Sequence, residues 1–78
     1  MEMLTIAEFK EKLALKIKKR RKELGLTQLA LATKIGFKDK QIVNNYEING
    51  ANPTAYNMIL IAKALDLTVD ELLDFSNL

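Results

Sequence analysis

The stretch TQLALATKIGFKDKQIVNNYE, Thr27 to Glu47, decides how this chain folds. Leu31, Ala32 and Ile35 follow helical rather than alternating spacing and mark the inner stripe of a short helix, Gln28 to Ile35. Thr27 stands where a hydroxyl can accept a hydrogen bond from a partnerless main-chain amide of the first turn, so it is the expected cap. Gly36 closes the helix, because glycine enters the left-handed conformation of a helix end at little cost. Phe37 and Lys38 form a tight turn. Asp39 then caps a further helix, Lys40 to about Ile48, with Val43 and Tyr46 on its inner side. The small side chain of Ala32 lets this helix cross closely over the one before it. The crossing leaves Lys40, Gln41, Asn44 and Asn45 on a face that projects from the surface.

On the N-terminal side, Thr5-Ile6-Ala7-Glu8 fits a capping box and opens a first helix that Gly25 ends. Ile6, Phe9, Leu13, Ile17 and Leu24 are its expected apolar face. After the central pair, Asn49-Gly50-Ala51-Asn52-Pro53 reads as a loop. A fourth helix is expected from about Thr54 to Leu65. Thr68-Val69-Asp70-Glu71 is a second capping box, opening a short fifth helix that carries Leu72 and Leu73. Few runs are β-branched or aromatic, so the fold class is all-α, with five helices in one domain over residues 1–78.

The formal net charge is +2, but its distribution is uneven. Residues 10–40 carry eleven Lys/Arg against three Asp/Glu, and residues 41–78 carry one Lys against five Asp/Glu. A basic half attracts a polyanion while the acidic half faces away. The basic run Lys18-Lys19-Arg20-Arg21-Lys22 exceeds one helical turn, so it cannot all face one way. There is no cysteine and no histidine, which removes disulfides, thiol chemistry and the commonest general base and metal ligand. No metal site and no cofactor are expected. An enzyme is not expected either: paired carboxylates, a glycine-rich phosphate loop and a nucleophile with its base are all missing. Glu2, Glu8 and Glu11 read as solvated charges. No signal peptide is visible, and the longest apolar run, Met58 to Ala62, is far short of a membrane span. A cytoplasmic protein that does not engage the membrane is the expectation.

Arg21, Leu24-Gly25-Leu26-Thr27-Gln28, Leu31-Ala32, Ile35-Gly36, Val43, Tyr46-Glu47, Gly50, Pro53, Ile61-Ala62, Ala64-Leu65 and Leu72 occur in an order and at a spacing that match a known pattern. Over about residues 13–73 the chain resembles the Cro/C1-type helix-turn-helix domains of phage repressors and bacterial regulators, the xenobiotic-response-element family. Leu26-Thr27-Gln28, Leu31 to Ile35 and Tyr46-Glu47 also resemble the helix-turn-helix of multiprotein bridging factors. The chain departs from the pattern in three respects. One residue is inserted between Gly36 and Asp39; without it Ile42 and Asn45 would be the buried pair, and burying an asparagine is costly. Gly50 stands one place late after Glu47. Leu29 and Leu60 occupy positions that are usually polar.

The resemblance implies a five-helix, lambda-repressor-like domain with the helix-turn-helix at its second and third helices. It implies double-stranded DNA as partner, with the third helix in the major groove. Lys40, Gln41, Asn44 and Asn45 are then the base-contacting residues, since amides pair with adenine and lysine donates to guanine. Arg21, Thr27, Gln28, Lys38, Asn49 and Asn52 are the expected contacts to the DNA backbone. Arg21 and Glu47 are expected to form a structural salt bridge. A transcriptional regulator, a repressor, is implied, acting at the nucleoid as a homodimer on a pseudo-palindromic site. Its dimer contacts would come from helix five, Phe75, Leu78 or Leu60. The alternative is a protein-binding adaptor on the same fold, either a bridging-factor-like coactivator or an antitoxin. An exposed Leu29 or Leu60 would favour that alternative.

Overall fold

The computed structural model describes residues 3–78; Met1 and Glu2, including the charge of Glu2 read above as solvated, lie outside them. Five helices follow one another: α1 Ile6–Glu23, α2 Gln28–Ile35, α3 Gln41–Asn49, α4 Ala55–Ala64 and α5 Val69–Leu72. There is no strand among the described residues. Each start except that of α3 is fixed by a threonine hydroxyl. Thr5, Thr27, Thr54 and Thr68 accept from the amides of Glu8, Ala30, Asn57 and Glu71. At α1 and α5 the Glu8 and Glu71 carboxylates return the bond, completing both capping boxes.

Helix α3 begins one residue later than expected, at Gln41 rather than Lys40. Asp39 is therefore not the cap: Lys40 holds that place without a side-chain cap bond, and Asp39, one residue earlier, accepts through Oδ1 from the Gln41 amide at 2.9 Å. The inserted residue has the consequence argued from burial cost. Val43 is fully buried, Tyr46 is half-buried and Asn45 is exposed. Gly36, at φ +104°, makes the left-handed turn out of α2.

Helix α1 packs on α3 and α5, α2 packs on α3 and α4, and α4 packs on α5. Leu13, Ile17, Leu31, Val43, Ile61, Leu65 and Leu72 fill the centre, each essentially without solvent contact. Burial of each such side chain is worth about 1.5–3 kcal/mol in transfer free energy. The α1 stripe is narrower than expected. Leu13 and Ile17 are buried and Phe9 is half-buried, but Ile6 and Leu24 are exposed. Those two flank the helix ends, where no other element lies over them, and Ala14 joins the core instead. Leu60 also departs from expectation: it packs against the core, while its neighbours Tyr56 and Ile59 carry the exposed apolar surface of α4.

Two long-range devices seat α1. The Ala51 amide donates to the Lys10 carbonyl at 2.9 Å, docking the loop after α3 onto α1. At the other end Lys16, Lys19 and Arg20 donate to the carbonyls of Asp74, Asn77 and Leu65. Phe75 meets Phe9 edge to face, with centroids 6.2 Å apart.

Candidate nucleic-acid interface

The basic run on α1 divides by helical geometry. Lys16, Lys19, Arg20 and Glu23 share the face turned to α5 and the C-terminal segment, as their hydrogen bonds show. Lys18, Arg21 and Lys22 share the other face, and Arg21 reaches α3 from it.

Arg21 is the hub. Its Nε donates to Glu47 Oε2 at 2.7 Å, one terminal nitrogen donates to Glu47 Oε1 at 3.0 Å, and the other donates to the Leu26 carbonyl at 2.8 Å. The two side chains retain only 11% and 3% of their accessible surface. Three elements are thereby tied together: the end of α1, the turn before α2, and α3. Burial alone would push the Glu47 carboxyl up. The bonds from Arg21 and Gln28, with the positive charges of Arg21 and Lys18, hold it below the ordinary carboxylate value.

Gln28, the first residue of α2, extends the network. Its Nε2 lies 3.2 Å from Glu47 Oε1 and 3.3 Å from Asn44 Oδ1. Both amide protons are therefore engaged inside the protein, and its main-chain N–H at the start of the helix is the donor left facing outward. Thr27 is exposed, and its oxygen accepts from Ala30.

On the outer side of α3, Lys40, Gln41 and Asn45 are exposed and Asn44 is half-buried. Gln41 Nε2 donates to Asn45 Oδ1 at 3.3 Å, so these two amides present a joined surface. Lys40, Asp39, Thr27, Gln28, Leu29 and Arg21 line one shallow depression between the start of α2 and the start of α3. The helix-turn-helix thus brings Arg21, Thr27, Gln28, Lys40 and Asn44 together. Lys38 is exposed in the turn beside them. Asn49 lines a different depression, with Lys10, Leu15 and Ile48 on the α1 side, and Asn52 is exposed in the following loop without a contact to the cluster.

Two features of this surface were missed from sequence. Lys18 acts on Glu47, and its spacing of three from Arg21 was the available signal. The bond between Gln28 and Asn44 joins residues sixteen apart, and no local pattern marks it. Among the described residues no cluster of acidic side chains is suited to a metal ion, and no helix is long and apolar enough to cross a membrane.

A helix-turn-helix family profile matches residues 17–72, more than half of the chain. No curated protein sequence matches. Among solved structures, the chain is similar to the restriction-modification controller protein C.AhdI from Aeromonas hydrophila, with 31% identity and a TM-score of 0.72 over 80% of this chain and 92% of that one. It is similar to SinR, a master regulator for biofilm formation crystallised in complex with DNA, with 32% identity and a TM-score of 0.70 over 80% of this chain and 98% of that one. A hypothetical transcription factor from Neisseria aligns at 26% identity with a TM-score of 0.78, over 95% of this chain and 84% of that one. With the matched segment running from the middle of α1 to the end of α5, this chain belongs to the Cro/C1-type helix-turn-helix family.

Proposed function

We propose that the chain is a sequence-specific, double-stranded DNA-binding transcriptional regulator, a repressor, whose helix α3 enters the major groove. The observation that carries this reading is the buried pair Arg21–Glu47, which fixes α3 from behind while its amide-rich face stays in solvent. Such a face has little to do in a monomeric core but matches the donor and acceptor pattern of base edges. Lys40, Gln41, Asn44 and Asn45 are assigned to bases. The phosphates on either side are assigned to Thr27 through its hydroxyl proton, Gln28 through its main-chain N–H, and Lys38 and Asn49 through their side chains. Asn52, exposed in the loop after α3, is assigned to the same backbone. Arg21 is assigned to the backbone as well: Glu47 and Leu26 take one N–H from each of its three nitrogens, which leaves an N–H on each terminal nitrogen for a phosphate.

A single α3 reads too few base pairs for useful specificity, so the working unit is a homodimer on a pseudo-palindromic site with half-sites about one helical turn apart. Tyr56 and Ile59 on α4, with Leu78, are the exposed apolar residues best placed for dimer contacts, because Phe75 and Leu60 are engaged within the chain. The similarity to C.AhdI, a controller protein of comparable length, and to SinR, crystallised with DNA, supports the regulatory role. A role in the cytoplasm, at the nucleoid, follows from it.

Selection of binding sites from random duplex DNA at low and moderate salt tests the proposal. The expected result is an inverted repeat whose affinity falls steeply with salt through counterion release. Binding that enriches no motif at either salt would refute it and favour the protein-binding adaptor, with exposed Leu29 as the first surface to probe.

A further inference from the structure

The Arg21–Glu47 pair determines the orientation of an amide that does not touch it. A carboxylate only accepts hydrogen bonds, so the atom of Gln28 facing Glu47 Oε1 at 3.2 Å must be the nitrogen. That same nitrogen lies 3.3 Å from the Asn44 amide. A donor already fixed as a donor requires an acceptor opposite, so Asn44 must turn its oxygen inward. Its Nδ2 then lies on the far side of the amide. Nδ2 makes no hydrogen bond among the described residues, and no side-chain nitrogen or oxygen among them is both buried and unpartnered. Nδ2 is therefore open to solvent, and Asn44 turns its two N–H donors outward and its acceptor toward Gln28.

An unrestrained asparagine offers oxygen and nitrogen side by side and so matches adenine, which presents an acceptor at N7 and a donor at N6. With its oxygen turned toward Gln28, Asn44 presents N–H groups rather than oxygen to the adenine amino group. Guanine presents two neighbouring acceptors, N7 and O6, and suits two outward donors. We propose that Asn44 is a donor-only reader that selects guanine over adenine, and that Gln28 is the positioning residue that enforces this by holding the Asn44 oxygen inward. The inference rests on the DNA-binding reading above.

The test compares selected sites for the wild-type protein, Asn44→Ala and Gln28→Leu, after thermal unfolding has shown the variants folded. The position whose preference disappears in Asn44→Ala is the one Asn44 reads. The wild type is expected to favour guanine there by about tenfold over adenine, the scale of one well-placed base contact. Replacing that guanine with 7-deazaguanine should remove most of the preference. In Gln28→Leu the released amide should accept adenine at this position, with the other positions unchanged. Adenine at this position in the wild-type motif would overturn the proposal. So would an unchanged preference in Gln28→Leu, or a motif that Asn44→Ala leaves intact. Failure of the wild type to enrich any motif refutes the DNA-binding reading instead. The 7-deazaguanine arm uses unaltered protein and, with the base found in the wild-type motif, tests the guanine reading even if Gln28→Leu does not fold.

Discussion

Removing the Glu47 carboxylate should be among the most damaging single changes to this chain. In Glu47→Ala the Arg21 guanidinium keeps one bond, to the Leu26 carbonyl, and loses two. It stays in a site where its side chain is only 11% exposed. Breaking a buried ion pair by deleting one partner costs about 3–5 kcal/mol, because a desolvated charge is left behind. The residual exposure and the surviving bond place this case at the lower end, about 3 kcal/mol. A domain of this size has a total stability of roughly 4–12 kcal/mol, so the loss is a large share of it. It corresponds to a fall in melting temperature of about 12–24 °C. Thermal and urea unfolding followed by circular dichroism at neutral pH measure it. A second arm replaces both partners with apolar residues, Arg21→Met with Glu47→Leu. That pair leaves no stranded charge and should be much less destabilised than the sum of the two single variants. A Glu47→Ala melting temperature within about 3 °C of wild type, below the shift for 1 kcal/mol, would refute the reasoning. Strict additivity in the double variant would show that the two side chains are not energetically coupled.

Two further predictions follow from local geometry. Gly50→Ala should cost roughly 2 kcal/mol, because φ +94° with ψ 151° is a glycine-specific conformation and the added Cβ would sit 3.0 Å from Lys10 Cβ. A melting temperature equal to wild type would contradict it. Acid should also weaken the fold through Glu47. Its carboxyl lies below the ordinary value in the folded state, so its contribution is complete above the unfolded pKa and is lost as pH falls through the lower folded value. Glu8, Glu71 and Asp74 are shifted the same way, chiefly by main-chain amides for Glu8 and Glu71 and by the Ser76 hydroxyl for Asp74. Between about pH 5 and pH 3 the wild-type melting temperature should therefore fall, and Glu47→Gln should fall less steeply. Parallel slopes would remove Glu47 from the account.

The contact between Phe75 and Phe9 withdraws from the surface an aromatic that sequence alone would have offered to a partner, while Tyr56 and Ile59 of α4 stay exposed. The engagement of Gln28 has a similar effect. An exposed amide at a helix start would reach a phosphate, whereas one held by Glu47 and Asn44 determines what its neighbour reads.

The signals legible in the order of residues are local ones. The threonine caps at Thr5, Thr27 and Thr68, two of them in capping boxes, and the glycine after α2 act over three or four residues, so these helix starts and this stop could be read directly. The inner residues of α2 and α3 could be read too, because burying Asn45 instead of Tyr46 would have been costly. Tertiary structure decided everything that depends on residues distant in the chain. Whether Ile6 and Leu24 are covered depends on where other elements end, not on their own spacing. The basic run on α1 was divided between the C-terminal segment and α3 only once partners more than twenty residues away were in place. The orientation of Asn44 follows from a chain of bonds running from α1 through α3 to α2 and back to α3. Each bond constrains the next because a carboxylate can only accept and a guanidinium can only donate.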